Sequence, residues 1–242
     1  MSSLKSLIVA GAAALALAPS MASAAGGGGE PVKYFAIGAG LSVPDDTEQD
    51  TSLAPFSGAN NFTLPDGFDT SFDPGFNVGA LVGYKFNDYW RIEGEYRYSS
   101  ADIDATTTRG QFNVPTSANP GGTLTANSGD VSVHALFANA VLDINMANNL
   151  LPYLGAGIGY ADVEISGLGA DEGEGVFAYK VFTGLDVKMD ENSWVGARFS
   201  FMNTGDFAYD PVGFDTVGGA FTLSEGQYAS FDLTIAYRRK FK

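Results

Sequence analysis

Hydrophobic and polar residues alternate with period two along most of this chain, as they do in a strand with one apolar and one polar face. In residues 76 to 86, Phe76, Val78, Ala80, Val82, Tyr84 and Phe86 take one face and Asn77, Gly79, Leu81, Gly83 and Lys85 the other. In "WRIEGEYRY", residues 90 to 98, Trp90, Ile92, Gly94, Tyr96 and Tyr98 stand opposite Arg91, Glu93, Glu95 and Arg97. Residues 34 to 43, 131 to 144, 152 to 161, 176 to 188, 195 to 203 and 229 to 241 repeat the pattern, which predicts eight strands in all. The polar faces of the later strands carry Asp143, Lys180, Asp186, Lys188, Arg198, Asp232, Arg238 and Lys240.

The connections alternate in length. Short ones at 87 to 89, 145 to 150 and 189 to 193 are set against long ones at 44 to 73, 101 to 129, 162 to 174 and 206 to 227. Antiparallel hairpins with short turns at one end and long loops at the other predict an all-β, eight-stranded, up-and-down transmembrane barrel. In such barrels the short turns are periplasmic, which places both termini in the periplasm and the long loops outside the cell.

A soluble lipocalin-like barrel or sandwich would show the same alternation, with its charged faces in water. Strand length favours the membrane: the strands run about 9 to 13 residues, near the roughly 9 to 11 that cross a bilayer at a tilt. Aromatics sit towards the ends of the apolar faces, where an interfacial girdle forms. The opposite faces combine glycine with charges of both signs, which suits a crowded lumen. Lys85, Arg91, Glu93, Glu95, Arg97, Asp143, Lys180, Asp186, Arg198, Asp232 and Arg238 are therefore expected to form a paired lumen network, because a small barrel leaves room only for side chains. No cofactor or metal ligand set is expected.

The first residues break the pattern. Lys5, an apolar run from Leu7 to Leu17, Pro19 and the triplet Ala22-Ser23-Ala24 read as a secretory signal peptide cleaved between Ala24 and Ala25, rather than as a buried N-terminal helix. The domains are then a signal peptide over 1–24, a flexible glycine-rich segment over 25–32 and the barrel over 33–242. With 242 residues and no cysteine, an exported chain gets no support from disulfides. Past residue 24 no apolar run reaches the roughly 18 residues of a membrane helix.

Charge sharpens the picture. The chain carries a formal charge of −15, and the four long connections hold 18 of its 28 acidic residues against one basic residue, Arg109. That balance excludes nucleic acid as a partner. It predicts an acidic outer surface over a nearly neutral barrel.

"WRIEGEYRY", the "LFANAVLDI" to "PYLGAGIGY" hairpin, "FAYKVFTGLDVKMDENSWVGARF" and the closing "SFDLTIAYRRKF" resemble the opacity and surface-antigen family of eight-stranded outer-membrane proteins, relatives of the transmembrane domain of outer-membrane protein A. The resemblance covers residues 33 to 242 apart from the loops. It implies a monomer in a Gram-negative outer membrane, in contact with outer-membrane lipid and lipopolysaccharide and inserted by the barrel-assembly machinery. It also implies a role in envelope integrity or adhesion through an extracellular ligand. The aromatic insertion signal falls on Tyr237 and Phe241, the latter one place before Lys242. No peptidoglycan-binding domain is expected to follow, and so no anchoring role.

Other chemistry is sparse. His134 and Ser132 share an outward face, but Ser-x-His reverses the His-x-Ser of barrel lipid A deacylases and no acid is obviously placed to orient the ring, so a girdle histidine is the expectation. "GAGIG", residues 155 to 159, lacks the spacing and the helix of a dinucleotide loop; its glycines are expected to clear room for lumen side chains such as Arg97 or Phe182. "ADEGEG", residues 170 to 175, lacks the order of a calcium loop and is expected to be a solvated acidic loop. Asn61-Phe62-Thr63 is a sequon without an expected role in a bacterium. A small-solute porin remains the alternative to a plugged structural or surface barrel, with a lipid A-modifying enzyme a distant third.

Overall fold

The computed structural model describes residues 31–45, 47–53, 63–108, 129–144, 149–166, 172–205, 207–209 and 221–241. They form β1 (Val32–Pro44), β2 (Thr47–Leu53), β3 (Thr63–Phe72), β4 (Gly75–Lys85), β5 (Trp90–Thr108), β6 (Asp130–Asp143), β7 (Leu150–Ser166), β8 (Glu172–Lys188), β9 (Ser193–Thr204), β10 (Phe207–Tyr209), β11 (Phe221–Gly226) and β12 (Ala229–Phe241). Eight of these, β1, β4 to β9 and β12, close a barrel in which every neighbour is antiparallel, as the sequence pattern predicts. The ring closes where β12 returns to β1, in unbroken register from Lys33↔Phe241 to Pro44↔Ser230. Closure gives every strand two partners, so the barrel crosses lipid without an orphaned edge.

Short polar side chains make the tight turns at one end. Asn87 Oδ1 accepts from the Tyr89 and Trp90 N–H groups, both at 2.8 Å, and so turns β4 into β5. Between β8 and β9, Asp190 Oδ1 accepts from the Asn192 N–H at 2.7 Å while the Ser193 hydroxyl donates to Asp190 Oδ2. The Ser193 hydroxyl and the Asn192 N–H hold the Asp190 carboxyl below its ordinary pKa.

The faces fall where alternation puts them. Ile37, Leu41, Ile158, Phe177 and Ile235 are exposed on the outside, with Ile158 at 61%. Arg91, Glu93, Arg97, Lys180, Asp186 and Asp232 are buried inside. Near Tyr96, Tyr98, His134 and Tyr160 this arrangement inverts. Beyond that ring Asp102, Asp104 and Glu164 are exposed, and Asp130, half-buried, takes a hydrogen bond from Ser166. The lumen there is a dry cluster built on Ala101, Val131, Val133, Phe137, Val163 and Met202. Apolar outside and polar inside fits lipid, while the reverse fits water, so the inversion marks the membrane surface at this end.

The strands also run longer than the sequence pattern predicts. β5 has 19 residues and β7 and β8 have 17 each, well beyond the roughly 9 to 11 needed for a bilayer. Residues 101–108, 162–166 and 172–174, expected as loop, continue the wall into solvent. The first and last long connections also contain strands: β2, β3, β10 and β11 form a collar that joins the wall through β3 on β5. Register shifts occur in the collar, at Gln49/Thr51, Ser71/Phe72 and Thr222/Glu225. Within "ADEGEG", Glu172 to Gly175 belong to β8 and pair with β7, so this segment is strand rather than loop. β1 starts at Val32, one residue before the expected barrel boundary. The signal peptide with Ala24 and Ala25, residues 61–62 of the sequon, Arg109 and Lys242 lie outside the described residues.

Replacing Ile158 by Lys puts a cation on the lipid-facing wall, at a cost of about 2–4 kcal/mol near the midplane. The variant is expected to lower the yield of heat-modifiable barrel on unboiled gels. Wild-type yield, with the folded protein soluble without detergent, would reverse the two faces.

Candidate functional site

The lumen holds a charge network, to which all eight barrel strands contribute, and a separate ion pair between Arg97 and Asp232 towards the long loops. β5 supplies its axis: Arg91, Glu93, Glu95 and Arg97 all point inward because they share parity on one strand. Glu93 lies at the centre. It pairs with Arg198 at 2.8 Å, Arg91 at 3.4 Å and Arg238 at 3.7 Å, and accepts from the Tyr34 hydroxyl at 2.8 Å. Glu95 takes Lys180 at 2.6 Å and Arg198 at 3.0 Å, and accepts from Asn139 Nδ2 at 2.8 Å.

Towards the short turns, Asp143 bridges Lys85 at 2.7 Å and Arg91 at 3.4 Å, and Asp186 pairs with Arg238 and lies 3.6 Å from Arg91. Towards the long loops, Asp232 pairs with Arg97 and accepts from Ser42 Oγ at 2.7 Å. Every residue of the expected network thus takes part in an ion pair. Six cations meet five carboxylates, which excludes a lining of one sign.

Four aromatic rings seal the network. The Arg91 guanidinium lies 4.6 Å from the Tyr153 ring centre and that of Arg238 4.9 Å from Tyr34. Arg198 sits 4.5 Å from Phe182, and the Lys180 ammonium 4.5 Å from Phe137. Such contacts add about 2 kcal/mol or more each when desolvated. The rings lie flat against the wall because glycines face them. A Cβ at Gly83 would collide with Tyr34, and one at Gly155 with Phe182.

The expectation for "GAGIG" therefore holds for Phe182 and fails for Arg97. The side chains over Gly157 and Gly159 are Asn139 and Phe137, which stand beside them on β6. Arg97 instead turns towards β9 and β12, drawn to Ser200 and Asp232. Lys188 and Lys240 also leave the network: Lys188 is exposed at the rim, and Lys240 sits 5.1 Å from the Trp194 ring. Sequence reasoning missed Tyr34, Tyr153 and Asn139. Tyr34 and Tyr153 stand on glycine-rich lumen faces and Asn139 interrupts an apolar one, where a large polar side chain is out of place, and that contrast was the available signal.

Beside the network, along the thin wall of Gly38 and Gly79, lies a cavity of about 40 Å³ lined also by Asn77, Glu95, Arg97 and Thr234. Arg97 Nε is buried there without a hydrogen-bond partner among the described residues.

On the outer wall, His134 Nδ1 lies 2.8 Å from the Tyr96 hydroxyl, and its ring is 4.7 Å from Tyr98. Aromatic neighbours on two sides suit the girdle role. An acid does stand beside it, contrary to the sequence expectation: Asp162 is its register partner on β7. The sequence pattern hid that neighbour by placing residue 162 in a loop. Tyr237 and Phe241 are exposed on the outside of β12.

An eight-stranded antiparallel barrel with a lipid-facing exterior and a filled lumen is an outer-membrane barrel. Residues 10–234 match the outer membrane protein beta-barrel domain family, to which the chain belongs; membership places it in the outer membrane of Gram-negative bacteria. The barrel is similar in fold to the outer membrane protein OprG of Pseudomonas aeruginosa (TM-score 0.62, 16% identity, 88% of this chain and 98% of that one). It is likewise similar to Neisserial surface protein A (TM-score 0.50, 15% identity, 88% and 100%). An uncharacterised protein of Brucella abortus is 35% identical over 99 residues, and one of Brucella melitensis 34% over 104. Each match covers 40% of this chain and 35% of the relative's length.

Removing one partner of a buried ion pair costs about 3–5 kcal/mol, because the remaining charge is left uncompensated. Glu93→Gln is expected to lower resistance to thermal unfolding in detergent by about that amount, with Glu191→Ala in the exposed turn silent. Equal melting of the two variants would remove the network as the structural centre of the lumen.

Proposed function

We propose that this protein is a monomeric structural and surface-interaction barrel, serving envelope integrity or adhesion, with a lumen that does not conduct. The observation that carries the reading is the plug. Ion pairs from six strands, joined by Tyr34 of β1 and Tyr153 of β7, fill the lower lumen, and the apolar cluster of Val131, Val133 and Met202 fills the upper. Eight strands leave an interior only wide enough for side chains. No catalytic role is assigned to His134, since its Nδ1 already lies within hydrogen-bonding distance of Tyr96.

In this reading the short turns and both termini face the periplasm, and the extended wall and collar face outward. The acidic rim of Asp102, Asp104 and Glu164 then meets the outside medium and lipopolysaccharide. Tyr237 and Phe241, at period two on β12, present the insertion signal to the barrel-assembly machinery. The extracellular ligand is a partner of the projecting wall and the loops.

A small-solute porin is the second reading, favoured by the cavity beside Gly38 and Gly79. Planar-bilayer recording of the refolded protein separates the two. Wild type is expected to be silent, and Glu95→Ala, which frees Lys180 and Arg198, to show small open events. Steady wild-type conductance would establish the porin.

A further inference from the structure

Among the described barrel strands, alternation places two lysine or arginine residues on the outer face, Lys33 on β1 and Arg239 on β12. They are neighbours. Lys33 stands opposite Phe241 and Phe35 opposite Arg239, so cations and phenyl rings form a checkerboard on the closing seam. The Phe35 and Phe241 ring centres are 6.5 Å apart, and both cations are exposed.

Neither cation has a carboxylate within ion-pair distance among the described residues, since the described salt bridges all lie in the lumen; the Asp190 carboxylate in the exposed β8–β9 turn acts on Arg239 at longer range. Diagonal neighbours on an antiparallel pair are about 7–8 Å apart, within reach of long side chains converging on one group. The acids on the outer face, Asp102, Asp104, Asp130, Asp162 and Glu164, all sit near or beyond the aromatic ring at the far end of the wall. At the short-turn end the outer wall itself therefore presents two cations and no acid, with phenyl rings alongside for acyl chains; the acids at that end, Asp88, Asp190 and Glu191, stand in the turns below the wall.

We propose that Lys33 and Arg239 form a binding site for the phosphodiester of an anionic phospholipid, such as phosphatidylglycerol, in the periplasmic leaflet. The choice of phospholipid over lipopolysaccharide phosphate rests on the orientation proposed above. The two cations hold the phosphate, and Phe35 and Phe241 pack against the glycerol and upper acyl carbons. Lipid bound there would clasp the first and last strands at the one junction that the chain does not connect.

The test uses the full-length refolded protein in micelles containing equal phosphatidylglycerol and phosphatidylethanolamine, read by native mass spectrometry at equal amounts of heat-modifiable barrel. Wild type is expected to retain phosphatidylglycerol preferentially. In the Lys33→Gln/Arg239→Gln double variant that retention is expected to fall roughly tenfold, while Lys188→Gln, a rim cation off the outer face, leaves it unchanged. Equal retention by the double variant, or an equal loss in Lys188→Gln, overturns the site. Asp88→Cys in the turn between β4 and β5 tests the orientation separately. Protection from an impermeant maleimide on intact cells supports it, whereas labelling from outside overturns the choice of phospholipid but leaves the phosphate contact to the micelle result.

Discussion

The closing ladder between β1 and β12 is the interaction on which the rest of the molecule depends. Inside a bilayer every backbone N–H and C=O must find a partner in the protein, and an open sheet would leave two edges unpaired. The unbroken register from Lys33↔Phe241 to Pro44↔Ser230 removes both edges. It also fixes side-chain parity. A slip of one residue would carry Asp232 and Arg238 out to lipid and Leu233 and Tyr237 into the lumen, so closure and charge burial specify each other.

The network follows from that geometry. Carboxylates and guanidinium groups confined in a narrow barrel are tolerable only when paired. Their desolvation is offset by several partners each and by rings packed on the cations. Glu93 meets three arginines and a tyrosine, and the glycines at 83 and 155 let Tyr34 and Phe182 lie flat against the wall. Glycine is frequent on these faces for want of space, since the rings and charges stand where a methyl group would otherwise be.

The eight barrel strands, their faces and the membership of the network were legible in the sequence because period-two alternation with charges on one face is a strong signal. The extensions past the membrane were not. At Ala101 and Ile103 the apolar residues turn inward while Asp102 and Asp104 turn outward, the opposite of Arg91 to Tyr98 on the same strand. Alternation continues, but its sign flips at the water boundary, and a strand whose polar residues change sides reads as a loop. The partners of individual charges were also out of reach. Cross-strand register decides that Asn139, and not Arg97, covers Gly157.

The placement of the register shifts has a consequence for how such a chain can change over generations. The barrel ladders are continuous, whereas the offsets lie in the collar pairings of β2, β3 and β11 and at the upper end of β5. A ladder already out of step absorbs an added or deleted residue without transmitting the displacement to the strands below. The crown can therefore be lengthened, shortened or exchanged while the lipid-embedded wall keeps every side chain in place.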